Sequence, residues 1–133
     1  MKIRIYTDSE IAKLKSNMFV RNIHYKRQIE YDPIFKLWTI VLRKDCPHLS
    51  AREIFARGGF DVNILHKNLP QKRIKEWYDN YKKFGIKYFL PEDEFYTSIQ
   101  YKQDDGTPTY DNVKLQILNF VLSRLKEYQN EDR

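Results

Sequence analysis

The stretch DPIFKLWTIVLRKDCPHLSAREIFARGGFDVNILHKNLPQKRIKEWYDNYKKFG, residues 32–85, decides the fold. Asp32-Pro33 opens a helix, with aspartate as N-cap and proline in the first turn, where its missing N–H costs nothing. Phe35, Trp38, Val41 and Leu42 share one face of that helix, which runs to about Arg43 and is broken by Asp45-Cys46-Pro47-His48. Ser50 and Glu53 have capping-box spacing, Ala51, Ile54 and Phe55 form a short apolar stripe, and Gly58-Gly59 ends this second helix. Leu69-Pro70 starts the strongest helix of the sequence, with Ile74, Trp77, Tyr78, Tyr81 and Phe84 facing inward and Gly85 as its stop. Its other face carries Lys72, Arg73, Lys75, Asn80, Lys82 and Lys83. Asp61 can cap an additional turn through Ile64 and Leu65.

The flanks are simpler. Thr7-Asp8-Ser9-Glu10 reads as a second capping box, with Ile11 and Leu14 giving a short helix that ends near Asn17. From Phe19 to Glu30 alternation predicts an extended segment or weak strand, basic through Arg21, His24, Lys26 and Arg27. Residues 86–108 contain an acidic patch (Glu92, Asp93, Glu94), a short strand around Ser98–Lys102 and a turn at Asp105-Gly106-Thr107-Pro108. A final helix runs from Asp111 to about Glu127. Leu118, Val121, Leu125 and Tyr128 follow the three-four-three spacing of a seam, which fits either self-association or docking on its own domain. The expected fold is mainly α: a three-helix helix-turn-helix core with an N-terminal helix and extended segment and a C-terminal helix. Its divisions are residues 1–31, 32–88, 89–110 and 111–133.

Composition narrows the function. Among the 133 residues, 24 Lys+Arg against 18 Asp+Glu leave a formal charge of +6, which favours a polyanionic partner through counterion release. Aromatics make up 15%, enough to furnish a core and against a mostly disordered chain. The single Cys46 excludes an intramolecular disulfide and any multi-cysteine zinc site. No signal peptide and no membrane-length apolar run is evident, so a cytoplasmic protein with no membrane partner is expected. His24, His48 and His66 are scattered, and the four glycines form no phosphate-binding loop; neither a metal nor a cofactor is expected.

On this reading the basic helix is braced from behind by Trp77 and faces a duplex. Gln71, Lys72, Arg73, Lys75 and Lys82 are the candidate DNA-binding residues, with Arg21, Lys26 and Arg27 supplementing phosphate contacts. Phe35-Lys36, Val41, Ser50, Glu53-Ile54-Phe55, Gly59-Phe60-Asp61, Arg73, Trp77, Tyr81-Lys82 and Gly85 resemble the helix-turn-helix proteins encoded by the first reading frame of insertion-sequence transposases and their free-standing bacterial relatives. Tyr6–Ile11 and the final helix, Lys114–Tyr128, are similar to the flanks of the free-standing members. The resemblance implies binding of double-stranded DNA, a role as regulator or mobile-element accessory protein, and a homo-oligomer through the C-terminal helix. Two departures stand out: the insert between Gly59 and the basic helix is long, so the groove-reading element begins either at Asp61 or at Gln71, and the final helix contains Asn119, Ser123 and Gln129 and lacks a long leucine seam.

Two other classes compete. A protein-interaction module with the same fold but no DNA binding would use the aromatic surface and the terminal helix. A metal-dependent nuclease would draw on Glu92-Asp93-Glu94 and Asp104-Asp105 with Lys102, but acidic loops around a turn explain those residues more simply. No catalytic residue is therefore assigned.

Overall fold

A computed structural model describes residues 5–90 and 110–131. Its elements run α1 (Asp8–Lys15), β1 (Val20–His24), β2 (Gln28–Tyr31), α2 (Pro33–Asp45), α3 (Ala51–Arg57), α4 (Leu69–Phe84), a 3-10 turn at Ile86–Tyr88 and α5 (Tyr110–Glu131). The chain is mainly helical, as the periodicity predicts. Both capping boxes form, Thr7 with Glu10 and Ser50 with Glu53, and Asp32 caps α2 by accepting from the Ile34 amide at 2.9 Å. The predicted strand at Ser98–Lys102 and turn at Asp105–Pro108 lie outside the described residues.

Helix α2 is the axis of the molecule. Ile34, Phe35, Leu37, Thr39, Ile40 and Val41 are all buried, and at 100° per residue they cover most of its circumference rather than one stripe. A helix apolar nearly all round must be enclosed. Here α3 and α4 pack on α2 and on each other, and α5 packs on α2 as well. Phe35 is the hub: its ring lies 5.0–5.9 Å from those of Phe19, Tyr31, Trp38, Phe55, Phe60 and Trp77. Gly58 follows from that crowding, because a Cβ there would stand 2.5 Å from Phe35 Cε1. Gly59 adopts φ +90°, where a side chain is strained, and so lets the chain leave α3.

The segment expected to be extended is a hairpin. β1 and β2 pair antiparallel, with Ile23 opposite Ile29 and His24 opposite Gln28. Tyr25 and Lys26 form its turn, both at φ +55°. That turn carries no Asn-Gly or Asp-Gly signal, so its sequence did not disclose it. The hairpin delivers Phe19 and Tyr31 to the Phe35 cluster, while the Tyr6 amide donates to the Lys26 carbonyl at 2.7 Å.

Helix α5 runs parallel to α2 and is fastened at both ends. Lys114 Nζ meets Asp32 Oδ2 at 3.0 Å; Arg124 grips both oxygens of Asp45 at 2.8 and 3.0 Å. The Tyr128 hydroxyl donates to Asp45 Oδ1 at 2.7 Å, and the Lys44 ammonium sits 4.2 Å from the Tyr128 ring. Between these ends Leu118, Val121 and Leu125 are fully buried. The seam that fits either partner or self is therefore occupied by this chain's own α2. Of the two fits open to that seam, the structure shows docking on the chain's own domain. Four inward assignments also shift. Trp38 is half-buried, Tyr78 and Tyr81 are partly buried, and Phe84 is exposed and stacks on Tyr88 at 5.1 Å. Among the described residues no helix is long and apolar enough to cross a membrane.

Truncating the core should show which contacts dominate. Trp77→Ala is expected to cost about 3–5 kcal/mol, and Leu125→Ala about 2–5 kcal/mol. For Leu125→Ala the urea midpoint should not depend on protein concentration; a midpoint that rises with concentration would mean the seam pairs between chains. Hydrogen bonds from Arg124, then from Tyr128, hold the Asp45 carboxyl below its ordinary value. A depressed carboxylate contributes stability above its unfolded pKa and loses it as pH falls through the folded one. The stability advantage of wild type over Asp45→Asn should thus shrink as pH drops from about 5 to about 3; a constant difference would contradict the clamp.

Candidate functional site

Pro70 lies in the first turn of α4, and Gly85, at φ +79°, ends it. Ile74 and Trp77 anchor it to the core, which leaves two flanks and an outer stripe exposed. The predicted basic face is not one surface. Gln71 and Lys75 look toward α2 and α3, whereas Lys72 and Arg73 look toward the hairpin. Lys82 lies further along, its ammonium 5.5 Å from the Tyr78 ring. The stripe between holds carboxylates too: Arg73 pairs with Glu76 at 2.6 Å and Lys75 with Asp79 at 3.0 Å. Glu76 and Asp79 are exposed, and facing phosphate they would repel it, so the middle of α4 is a poor backbone contact.

The flank toward α2 and α3 is different. A groove of about 770 Å³ lies there, lined by Arg43 and Lys44 from the end of α2, Arg52 from α3, Lys67 from the loop before α4, and Gln71, Lys75 and Tyr78 from α4. Five cations border it and no carboxylate does. The α2–α3 break places Arg43 and Lys44 beside the start of α3, where the Ser50–Glu53 box fixes the direction in which Arg52 leaves. The Glu53 carboxylate is held below its ordinary value mainly by the Ser50 backbone amide, then by the Ser50 hydroxyl, and so stays ionised in its capping role. Arg43, Lys44, Arg52 and Lys67 escaped the sequence reading. Their charges are visible, but their convergence depends on how three helices cross.

On the other flank a second groove, of about 800 Å³, collects Arg27 with Lys72 and Arg73, so two predicted regions do meet. Arg21 and Lys26 join neither groove. Arg21 stands 3.7 Å from buried Asp32, and Lys26 is 3.4 Å from Asp8. Their charge is partly committed inside the fold. The Tyr25 ring is the most exposed large apolar group on the hairpin, 81% accessible, with the Arg27 guanidinium 5.8 Å from its centroid.

The alternative start of the basic element at Asp61 is not observed. Asp61 opens a turn, accepting from the Ile64 amide through its carbonyl and from the Asn63 amide through its carboxylate. Its side chain pairs with Lys13 at 2.6 Å, and that bond, ahead of the Asn63 amide, lowers its pKa. The nuclease candidates Glu92, Asp93, Glu94, Lys102, Asp104 and Asp105 lie outside the described residues. Among those described, no three histidine, cysteine or acidic side chains cluster so as to hold a metal ion. Comparisons with protein-family models, with curated proteins and with solved structures return no match for this chain.

Proposed function

We propose that the chain binds double-stranded DNA through the groove between α2, α3 and the N-terminal half of α4. The observation that carries this reading is the convergence of Arg43, Lys44, Arg52, Lys67 and Lys75 on a surface with no carboxylate in its lining. Such a surface gains from neutralising phosphates and releasing their counterions. Exposed Gln71 and Lys75 on the first turns of α4 are the side chains to reach base edges in a major groove about 12 Å wide. The mutual packing of α2, α3 and α4 supports a three-helix, helix-turn-helix-like unit. The connection from Gly58 to Asn68 is longer than the usual turn of about 3–4 residues, so α4 is set by its own core contacts rather than by a tight turn. The resemblance to transposon-encoded helix-turn-helix proteins supports the same partner and a role as regulator or accessory protein, with no chemistry of its own.

A second reading, a protein-interaction module, draws on one observation. Phe84 and Tyr88, each 53% exposed, stack on each other beyond the groove and present apolar area to solvent.

Fluorescence anisotropy with a mixed-sequence duplex separates these readings. Affinity should fall with salt at a log-log slope of about 0.9 per phosphate contact, and Arg52→Ala with Lys67→Ala should lower that slope by about 2. Binding that ignores salt, or that survives the double variant unchanged, would rule the groove out. Neutralising the stripe with Glu76→Gln and Asp79→Asn should tighten duplex binding by removing repulsion at the edge of the interface. Phe84→Ala should leave DNA affinity alone and weaken only a protein partner.

A further inference from the structure

The groove between the hairpin and α4 contains a feature that DNA binding does not use. Tyr31 lines it and is only 6% exposed, and its hydroxyl is buried with no hydrogen-bond partner among the described residues. A buried hydroxyl without a partner loses its hydration for nothing, so native proteins rarely keep one without a reason. Desolvation, the largest influence, raises the Tyr31 phenol above its ordinary range, so it remains an O–H donor across the working pH range. A donor of this kind calls for an acceptor.

The neighbouring charges make the same demand. Lys36 lines the groove half-buried, and burial lowers its pKa against the pull of Glu76 and Glu30. Among the described residues its ammonium forms no ion pair and lies 5.9 Å from the centroid of the Trp77 ring. The two acids of the groove are already engaged, Glu30 with His24 at 2.7 Å and Glu76 with Arg73 at 2.6 Å. Lys72 and Arg27 complete the rim. The cations Arg27, Lys36, Lys72 and Arg73 thus outnumber the two carboxylates of the groove, whose lining also includes the residue with the buried O–H.

We propose that this groove binds a small phosphate monoester, the Tyr31 hydroxyl donating to a phosphate oxygen and Lys36, Lys72 and Arg27 supplying the balancing charge. A phosphate offers three strong acceptor oxygens and nearly two negative charges, which matches this many donors better than a carboxylate does. The groove's volume of about 800 Å³ is that of a pocket for an organic molecule rather than a bare ion, so the ester carries a sugar- or nucleoside-sized group. This site is separate from the α2–α3–α4 groove, and it stands or falls independently of DNA binding.

Isothermal titration, with tryptophan fluorescence reporting on Trp77, tests it with ribose 5-phosphate, adenosine 5′-monophosphate, inorganic phosphate and adenosine. The two esters should bind, inorganic phosphate more weakly, and adenosine not at all. Tyr31→Phe should weaken ester binding about tenfold while the ligand-free melting temperature stays level or rises, because the phenylalanine leaves no orphaned hydroxyl. Lys36→Met should weaken it comparably, and Arg52→Ala with Lys67→Ala should leave it unchanged. The proposal is overturned if neither ester binds in the millimolar range, if inorganic phosphate binds as tightly as the esters, or if Tyr31→Phe binds like wild type. Loss of ester binding in the Arg52→Ala, Lys67→Ala double variant would likewise overturn it, by moving the site to the other groove.

Discussion

The contact of the Phe35 ring with six other aromatic rings is the constraint on which the remaining structure rests. Those rings come from the hairpin, from α2 itself, from α3, from the loop after it and from α4, so one side chain ties together most of the first 90 residues. Edge-to-face and tilted pairs of this kind add to the area they bury. Because every partner approaches a single ring, small changes in one element must be met by all the others. Gly58 records how tight the fit is: even one added carbon would collide with that ring.

The opposite side of α2 is closed by charge as well as by apolar contact. Asp32 and Asp45 stand at the two ends of the helix, and each receives a cation from α5. Asp32 is almost wholly buried and does double duty as the helix cap and as the acceptor for Lys114. A buried carboxylate is tolerable only when paired and hydrogen-bonded in this way, and removing one partner would strand the other. These clamps hold α5 in one register along α2. They leave the α2–α3–α4 groove open on the far side of the break at Cys46–Leu49, where five cations line it with no carboxylate among them.

Much of this was legible from residues alone. Helix starts at Thr7, Asp32 and Ser50 are legible because capping is local chemistry and the donor, acceptor and spacing all lie within four residues, and the start at Leu69 is legible because Pro70 suits a first turn. The stops at Gly58 and Gly85 followed for the same reason. The hairpin is legible only as an extended segment, since Tyr25 and Lys26 are unusual occupants of left-handed positions and carry no turn signal. The fate of the α5 seam could not be settled, because Leu118, Val121 and Leu125 would suit a second copy as well as α2; the long-range pairs Lys114–Asp32 and Arg124–Asp45 decide it. The candidate site was half visible. Gln71 and Lys75 were named and do line the cationic groove, but the sequence placed them with Lys72 and Arg73, which the core contacts of Ile74 and Trp77 turn toward the other flank. Counting cations along a helix also passed over Glu76 and Asp79, whose pairing with Arg73 and Lys75 neutralises the very face that periodicity put forward.

We propose one location for the duplex: the surface where Arg43, Lys44, Arg52, Lys67 and Lys75 come together, and not the outer stripe of α4 or α5. Backbone amide chemical shifts of the isotope-labelled chain, followed while a short duplex is added, read that location directly. Shifts are expected at Arg43–Lys44, Ala51–Arg52 and Lys67–Tyr78, with Lys114–Tyr128 undisturbed. Shifts centred on α5 or on Phe84–Tyr88, or a spectrum that does not respond to the duplex, would contradict it.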